Sequence, residues 1–165
     1  MSTEDKKIED TEVIDETAES EITGRDPEKY YEAVGRRKES IARVRVFTRK
    51  ASDEPVADNK ILLLVNGISY VDYFGGERLQ SIVEAPFQKL KSLTRFKATV
   101  FVSGGGKAGQ ADAVKHGLSR ALVLFDANFS KKLSKAGYIR RDPRIKERRK
   151  YGLKKARKSP QWSKR

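Results

Sequence analysis

Cysteine is absent, and histidine and tryptophan occur once each, as His116 and Trp162. Without cysteine there is no disulfide framework, no thiolate zinc site and no cysteine nucleophile. One histidine excludes multi-histidine metal sites, and both facts suit a reducing cytoplasm. Long hydrophobic runs are missing too. The longest branched-aliphatic stretch is Ile61–Val65, far short of the roughly 20 residues of a membrane span. The first residues are polar and acidic, unlike a secretory signal or transit peptide. No catalytic triad, carboxylate pair or metal cluster is legible. The expectation is therefore no enzyme, no metal and no cofactor.

What is abundant is charge. Charged residues make up 36% of the 165 positions, against roughly 25% in an ordinary globular domain. Lys and Arg number 36 against 23 Asp and Glu, a net charge of +13. Mean hydropathy is −0.70, so a modest core is expected with much chain left in solvent or against an anion.

The charge is segmented. Residues 1–28 hold eleven acids and three bases, and the rest of the chain carries +21. Such an acidic, aromatic-poor arm cannot bury enough apolar surface to offset its chain entropy, so it is expected to be disordered. It reads either as a solubilising extension or as an internal mimic of nucleic acid that weakens nonspecific RNA binding. Residues 140–165 hold thirteen bases and two acids. Tyr151 and Trp162 interleave with them and can stack on bases. Arg forks bind phosphate oxygens in pairs, and Lys adds point charges. A membrane surface fits less well, because the tail has too few large apolar residues. Fully extended, it reaches at most about 85 Å.

The body between is periodic. Ile41–Phe47 alternates, with Ala42, Val44 and Val46 on one face and Arg43 and Arg45 on the other. Ile61–Val65 reads as a second strand ending at an Asn66-Gly67 turn, and the two strands are expected to pair as a long hairpin. Leu79, Ile82, Val83, Phe87, Leu90 and Leu93 recur at helical spacing, with Pro86 implying two short helices or one kinked helix. Phe96–Ser103 alternates again. A longer helix follows on the stripe Ala111, Val114, Leu118, Ala121, Leu122 and Phe125, then a short one over Phe129–Ala136, stopped by Gly137. Strand–strand–helix–strand–helix predicts an α+β fold, a small two-layer sandwich with helices on one face of the sheet. The division expected is an acidic arm over 1–28, a domain over 29–138 and an extended basic tail over 139–165. Asp142-Pro143 is a candidate start for a helix over 144–150, but nothing apolar would dock it, and the tail is expected to be ordered only by its partner.

Two further motifs have two readings each. Gly35-Arg36-Arg37-Lys38 is either an exposed basic turn before the first strand or a phosphate clamp continuous with Arg43 and Arg45. Gly104–Gln110, GGGKAGQ, is either a tight turn for close helix–sheet packing or an RNA-phosphate contact at a helix start. It lacks the spacing of a P-loop or a dinucleotide fingerprint. His116, off the apolar stripe with no neighbouring acid in sequence, is expected on the surface or facing RNA.

In order, Val34-Gly-Arg-Arg-Lys38, Ala42-Arg-Val44, Val65-Asn-Gly67, Tyr73-Phe74, Gly104–Gln110, His116-Gly117, Arg120-Ala-Leu122, Arg141-Asp142, Glu147–Gly152 and Gln161–Arg165 form a series. From about Tyr30 to Arg165 it resembles the bacterial form of the family of the ninth protein of the small ribosomal subunit. The resemblance implies a mixed sheet with a left-handed βαβ crossover, an exception to the usual hand. It implies binding to rRNA of the 3′ major domain in the subunit head, beside neighbouring head proteins. It also implies a tail that approaches the anticodon stem-loop of P-site tRNA with Ser163, Lys164 and Arg165. The rRNA-binding residues it carries over include Arg36, Arg37, Lys38, Lys107, Gln110, Arg140, Arg141, Arg148, Arg149 and Lys150. Charge adds Arg43, Arg45, Arg144, Lys154, Lys155, Arg157 and Lys158. The expected function is thus a structural constituent of the cytoplasmic small ribosomal subunit in translation, with no membrane partner.

The chain departs from the family pattern at 51–58, where a longer loop replaces a Pro-Gly-x-Gly turn, and at Trp162, where Phe or Tyr is usual. The acidic arm has no counterpart in the short members. Two other classes remain open on fold alone. A ribonuclease P protein subunit shares this type of domain but does not explain Gln161–Arg165. Some small-molecule kinases share it too but need a Gly/Ser-rich phosphate loop that is missing here. A nonspecific DNA-compacting protein predicts indifference between RNA and duplex DNA.

Overall fold

The computed structural model describes residues 29–50 and 61–164. The readings on the acidic arm, the loop at 51–58 and Arg165 lie outside the described residues. Five strands form one mixed sheet: β1 (Tyr30–Arg37), β2 (Ser40–Thr48), β3 (Leu62–Val65), β4 (Ile68–Ser69) and β5 (Phe96–Ser103). Among the described residues four helices accompany them: α1 (Tyr70–Phe74), α2 (Glu77–Leu90), α3 (Lys107–Phe125) and α4 (Phe129–Lys135). The strand order is β1-β2-β5-β3-β4. The fold is α+β, a small two-layer sandwich.

The alternation in β2 decides the layers. Ala42, Val44 and Val46 are fully buried under the helices, while Ile41 and Arg43 face solvent. Val100 of β5, Val65 of β3, and Val83, Phe87, Val114, Leu118 and Leu122 of the helices complete the core. At one end an aromatic cluster closes it: Phe125 meets Phe96 and Tyr31 edge-on at centroid distances of 5.1 and 5.3 Å. Such pairs add to what their burial already contributes.

The expected hairpin between the first two predicted strands, 41–47 and 61–65, does not form. β2 is occupied on one side by β1 and on the other by β5, both antiparallel. β3 instead runs parallel to β5, with Leu62 opposite Lys97 and Val65 opposite Val100. Asn66-Gly67 does turn the chain, at φ 51° and 84°, but into the two-residue strand β4. That φ pair suits a tight two-residue hairpin turn. The Asn66 side chain then continues the parallel pairing. Its Oδ1 accepts from the Val102 N–H at 2.9 Å and its Nδ2 donates to the Val102 carbonyl at 3.1 Å.

β1 is the strand that the sequence hides. Gly35 reads as a turn residue, yet it lies in mid-strand because α3 crosses there. A Cβ on Gly35 would stand 1.9 Å from the Ala113 carbonyl oxygen and 2.4 Å from the Gly117 nitrogen. Glycine inside a strand marks such a close approach. The turn comes three residues later, where Lys38 takes φ 51° and joins β1 to β2. Of the two alternatives at Pro86, one continuous helix is found, with Pro86 buried in α2. It stops at Lys91 (φ 53°), whose N–H reaches the Gln88 carbonyl. α4 ends as expected: Gly137 (φ 76°) donates to the Ser134 carbonyl and Tyr138 to that of Leu133.

Candidate nucleic-acid interface

The open sheet face carries cations laid over rings. Arg43 lies 5.4 Å from the Phe101 centroid, and Arg45 lies 4.9 Å from that of Tyr30. Arg45 also donates to Glu32 Oε2 at 2.6 Å. Tyr30, Ile41, Leu64 and Phe101 are exposed on this face. Flat rings beside guanidinium groups are suited to unpaired bases and to phosphates alike.

The glycine-rich junction between β5 and α3 is tightly built. Gly104 and Gly105 take φ 71° and 61°. Ser40, itself buried, donates from Oγ to the Gly104 carbonyl at 3.1 Å, and Gln110 Nε2 donates to the same oxygen at 3.1 Å. A Cβ on Gly109 would sit 2.9 Å from Ser40 Oγ, which supports the packing reading of this motif. Lys107 donates from Nζ to the Tyr73 carbonyl at 2.6 Å and lies over the Tyr73 ring. Tyr73 in turn donates from its hydroxyl to Gln110 Oε1 at 2.9 Å. Lys107 and Gln110 thus have partners within the protein.

The third group is the root of the tail, and here the reading of His116 is corrected. His116 is half-buried rather than a free surface ring. Its Nδ1 accepts from the Arg36 N–H at 3.2 Å, and its Nε2 lies 3.0 Å from the Ile139 carbonyl. That pattern requires the neutral ring with its proton on Nε2. Burial is the main cause that lowers the His116 pKa. The charges of Arg120 and Arg141 push the same way, and the bond to Ile139 opposes them.

Arg37 is largely covered, with its side chain 14% exposed. Its guanidinium lies 3.6 Å from Asp112 and 3.2 Å from Asp142, and it donates to the backbone carbonyls of Asp142 and Arg144. Asp142 also accepts from the Arg144 side chain at 2.8 to 3.1 Å and from its N–H at 3.0 Å. These bonds hold the Asp142 carboxyl well below the usual carboxylate range, the Arg144 side chain contributing most. Ile139 is packed against the core. The tail therefore does not begin free. The domain holds residues 139–144 in a set direction, and Arg36, Arg37 and the neighbouring Lys115 frame a cleft with Tyr138 and Arg140–Asp142.

Beyond the root no helix forms over 144–150. Tyr151 and Trp162 are fully or largely exposed. Arg157 donates to Glu147 at 2.7 Å, Lys150 to the same carboxylate at 3.3 Å, and Gly152 turns the chain at φ 74°. Arg148, Arg149, Lys154, Lys155, Lys158, Ser163 and Lys164 lie along this segment, all exposed. Asp112, Lys115, Tyr138 and Asp142 had no place in the sequence reading of the site. Their signal was present in part: 112, 115 and 116 share one helix face by their spacing. Among the described residues no group of three or more His, Asp or Glu is placed to hold a metal. No described helix is long and apolar enough to cross a membrane.

A small α+β domain that fixes the start of a long, exposed, cationic tail presents a surface suited to a polyanion. The family model described as ribosomal protein S9/S16 matches residues 35–165. The chain belongs to that family and is a small-subunit ribosomal protein that binds rRNA. The family is one of structural ribosomal proteins, not an enzyme class, and the match runs through the tail as well as the domain. This coverage separates the chain from the ribonuclease P, kinase and DNA-compacting alternatives.

Proposed function

We propose that this is the ninth protein of the small subunit in its bacterial form. It works in the cytoplasmic ribosome, in the subunit head on rRNA of the 3′ major domain and among neighbouring head proteins. Its tail approaches the anticodon stem-loop of P-site tRNA. The observation that carries the reading is the root: the domain itself holds residues 139–144, and the chain beyond stays exposed to Lys164. The domain docks through Arg36, Lys38, Arg43 and Arg45. Arg140, Arg141, Arg144, Arg148, Arg149, Lys150, Lys154, Lys155, Arg157 and Lys158 neutralise phosphates where rRNA strands crowd together. Arg37, Lys107 and Gln110 serve by holding the surfaces that carry these cations. Ser163, Lys164 and Arg165 supply charge to the tRNA backbone without reading its sequence, since phosphate contacts position rather than specify.

Deleting residues 163–165 tests this. Small subunits carrying the truncated chain are expected to assemble normally, to bind P-site tRNA more weakly and to initiate less accurately. Unchanged tRNA affinity and unchanged initiation would overturn the tRNA role.

A further inference from the structure

The face of the sheet away from the helices is apolar and basic at once. Strand register sets the two kinds of group side by side in successive rows. Arg36 lies opposite Ile41, Arg43 opposite Phe101, and Arg45 shares a row with Leu64 through Thr99. Tyr30, Ile41, Leu64 and Phe101 are all exposed there. A contiguous exposed apolar patch marks an interaction site. Among the described strand positions on this face Glu32 is the one acid, and it is already paired with Arg45 at 2.6 Å. Arg43 lies over the Phe101 ring, and neither it nor Arg36 meets a carboxylate among the described residues. RNA phosphates and bases suit the arginines and the rings. They leave the aliphatic Ile41 and Leu64 uncovered. An occupant that satisfies the whole face is both anionic and aliphatic.

We infer that the occupant is a segment of the same chain, residues 8–22, which docks on this face and shields it until a polyanion displaces it. The segment has the required chemistry. It holds seven acids and no base, and Ile8, Val13, Ile14 and Ile22 are set among them. Its carboxylates match Arg36 and Arg43, and its aliphatic groups match Ile41, Leu64 and the two rings. Its attachment is equally apt, because the chain enters β1 at Tyr30, on this very face. Eight residues from Ile22 to Tyr30 reach at most about 28 Å. The four strands β1, β2, β5 and β3 span roughly 14 Å across. Every row of the face is therefore within reach. A short tether gives an effective concentration of order millimolar, so weak contacts suffice. The basic tail competes poorly for this segment, since its few large apolar residues are scattered along it.

The test uses the full-length chain, which has no cysteine of its own, with a nitroxide spin label at Thr17→Cys. Amide spectra at low salt are expected to lose intensity at Arg43, Arg45 and Phe101, and far less at residues 148–158. A second labelled chain carries Ile8→Ser/Val13→Ser/Ile14→Ser/Ile22→Ser, which keeps every charge and alters no described residue. It is expected to recover the lost signals. Saturating single-stranded RNA of unrelated sequence is expected to recover them in the parent as well. A face closed in two thirds of the molecules binds RNA about threefold more weakly than an open one. The serine variant should therefore bind that RNA more tightly than the parent, by about this factor. Signal loss spread equally over the tail, or equal in parent and serine variant, would show charge alone at work and overturn the docking. So would signal loss passed from labelled chains to unlabelled ones in a mixture, which would make the occupant a second copy. Signal loss that persists under saturating RNA, or equal RNA affinities, would overturn the shield. Each of these failures leaves the rRNA-binding reading as it stands, because no part of that reading uses residues 1–28.

Discussion

His116 bridges the backbone of β1 and the first residue of the tail root through both ring nitrogens. Protonation would put a second N–H where Nδ1 now accepts from Arg36. Burial already disfavours the cation, so the folded pKa lies below the ordinary value near 6.5. A depressed histidine contributes stability above its unfolded pKa, and that contribution is lost as pH falls through the folded pKa. An NMR titration of the ring should therefore give a value below that of a free histidine. At acidic pH the Ile139 and Arg36 amides should exchange faster. A ring that titrates at or above the free value would refute the bridge. Arg37 is the companion case. Sequence marked it as a cation among cations, but it is spent on Asp112, Asp142 and two carbonyls. Arg37→Ala strands these acceptors and should cost about 2 kcal/mol in chemical denaturation. It should also release residues 139–144 to proteolysis and fast amide exchange. A variant with parental stability and protection there would show that Arg37 does not hold the root.

At the scale of elements, β1 and α3 depend on one crossing. Gly35 and Gly117 face each other, and a Cβ on Gly117 would meet Val44 Cγ2 at 2.6 Å. Gly35→Ala must push α3 off the sheet or bend β1. It is expected to cost about 3 kcal/mol or more, measured by the denaturation midpoint, while Gly67→Ala, where no atom lies near, strains only a surface turn. Equal effects of the two would contradict the crossing. The same glycine shows how far sequence could be read. Alternation in β2 and β5 and the apolar stripe of α3 were plain, because each element has one buried face. β1 was not, since its core positions are the small residues Ala33 and Gly35, which carry almost no apolar signal. The parallel β3–β5 pair was equally hidden, because local periodicity says nothing of a strand's neighbours. For the site, the cationic residues were legible one by one. Their division into docking groups and internal holders was not, for it depends on Asp112 and Asp142 meeting Arg37 across 75 and 105 positions of chain.

For the whole molecule, the domain is the fixed part and the tail is the reach. Neutralised phosphates make binding steeply salt-dependent, while a domain docked through several faces resists the same wash. The most direct measurement places a photo-crosslinking side chain at Trp162, which is largely exposed, in small subunits washed at high salt and then loaded with P-site tRNA. The protein should remain on the subunit in stoichiometric amount, and the label should join the tRNA at its anticodon stem-loop. Loss of the protein in the wash, or crosslinks to rRNA and proteins with none to tRNA, would contradict a tail that the domain aims at the P site.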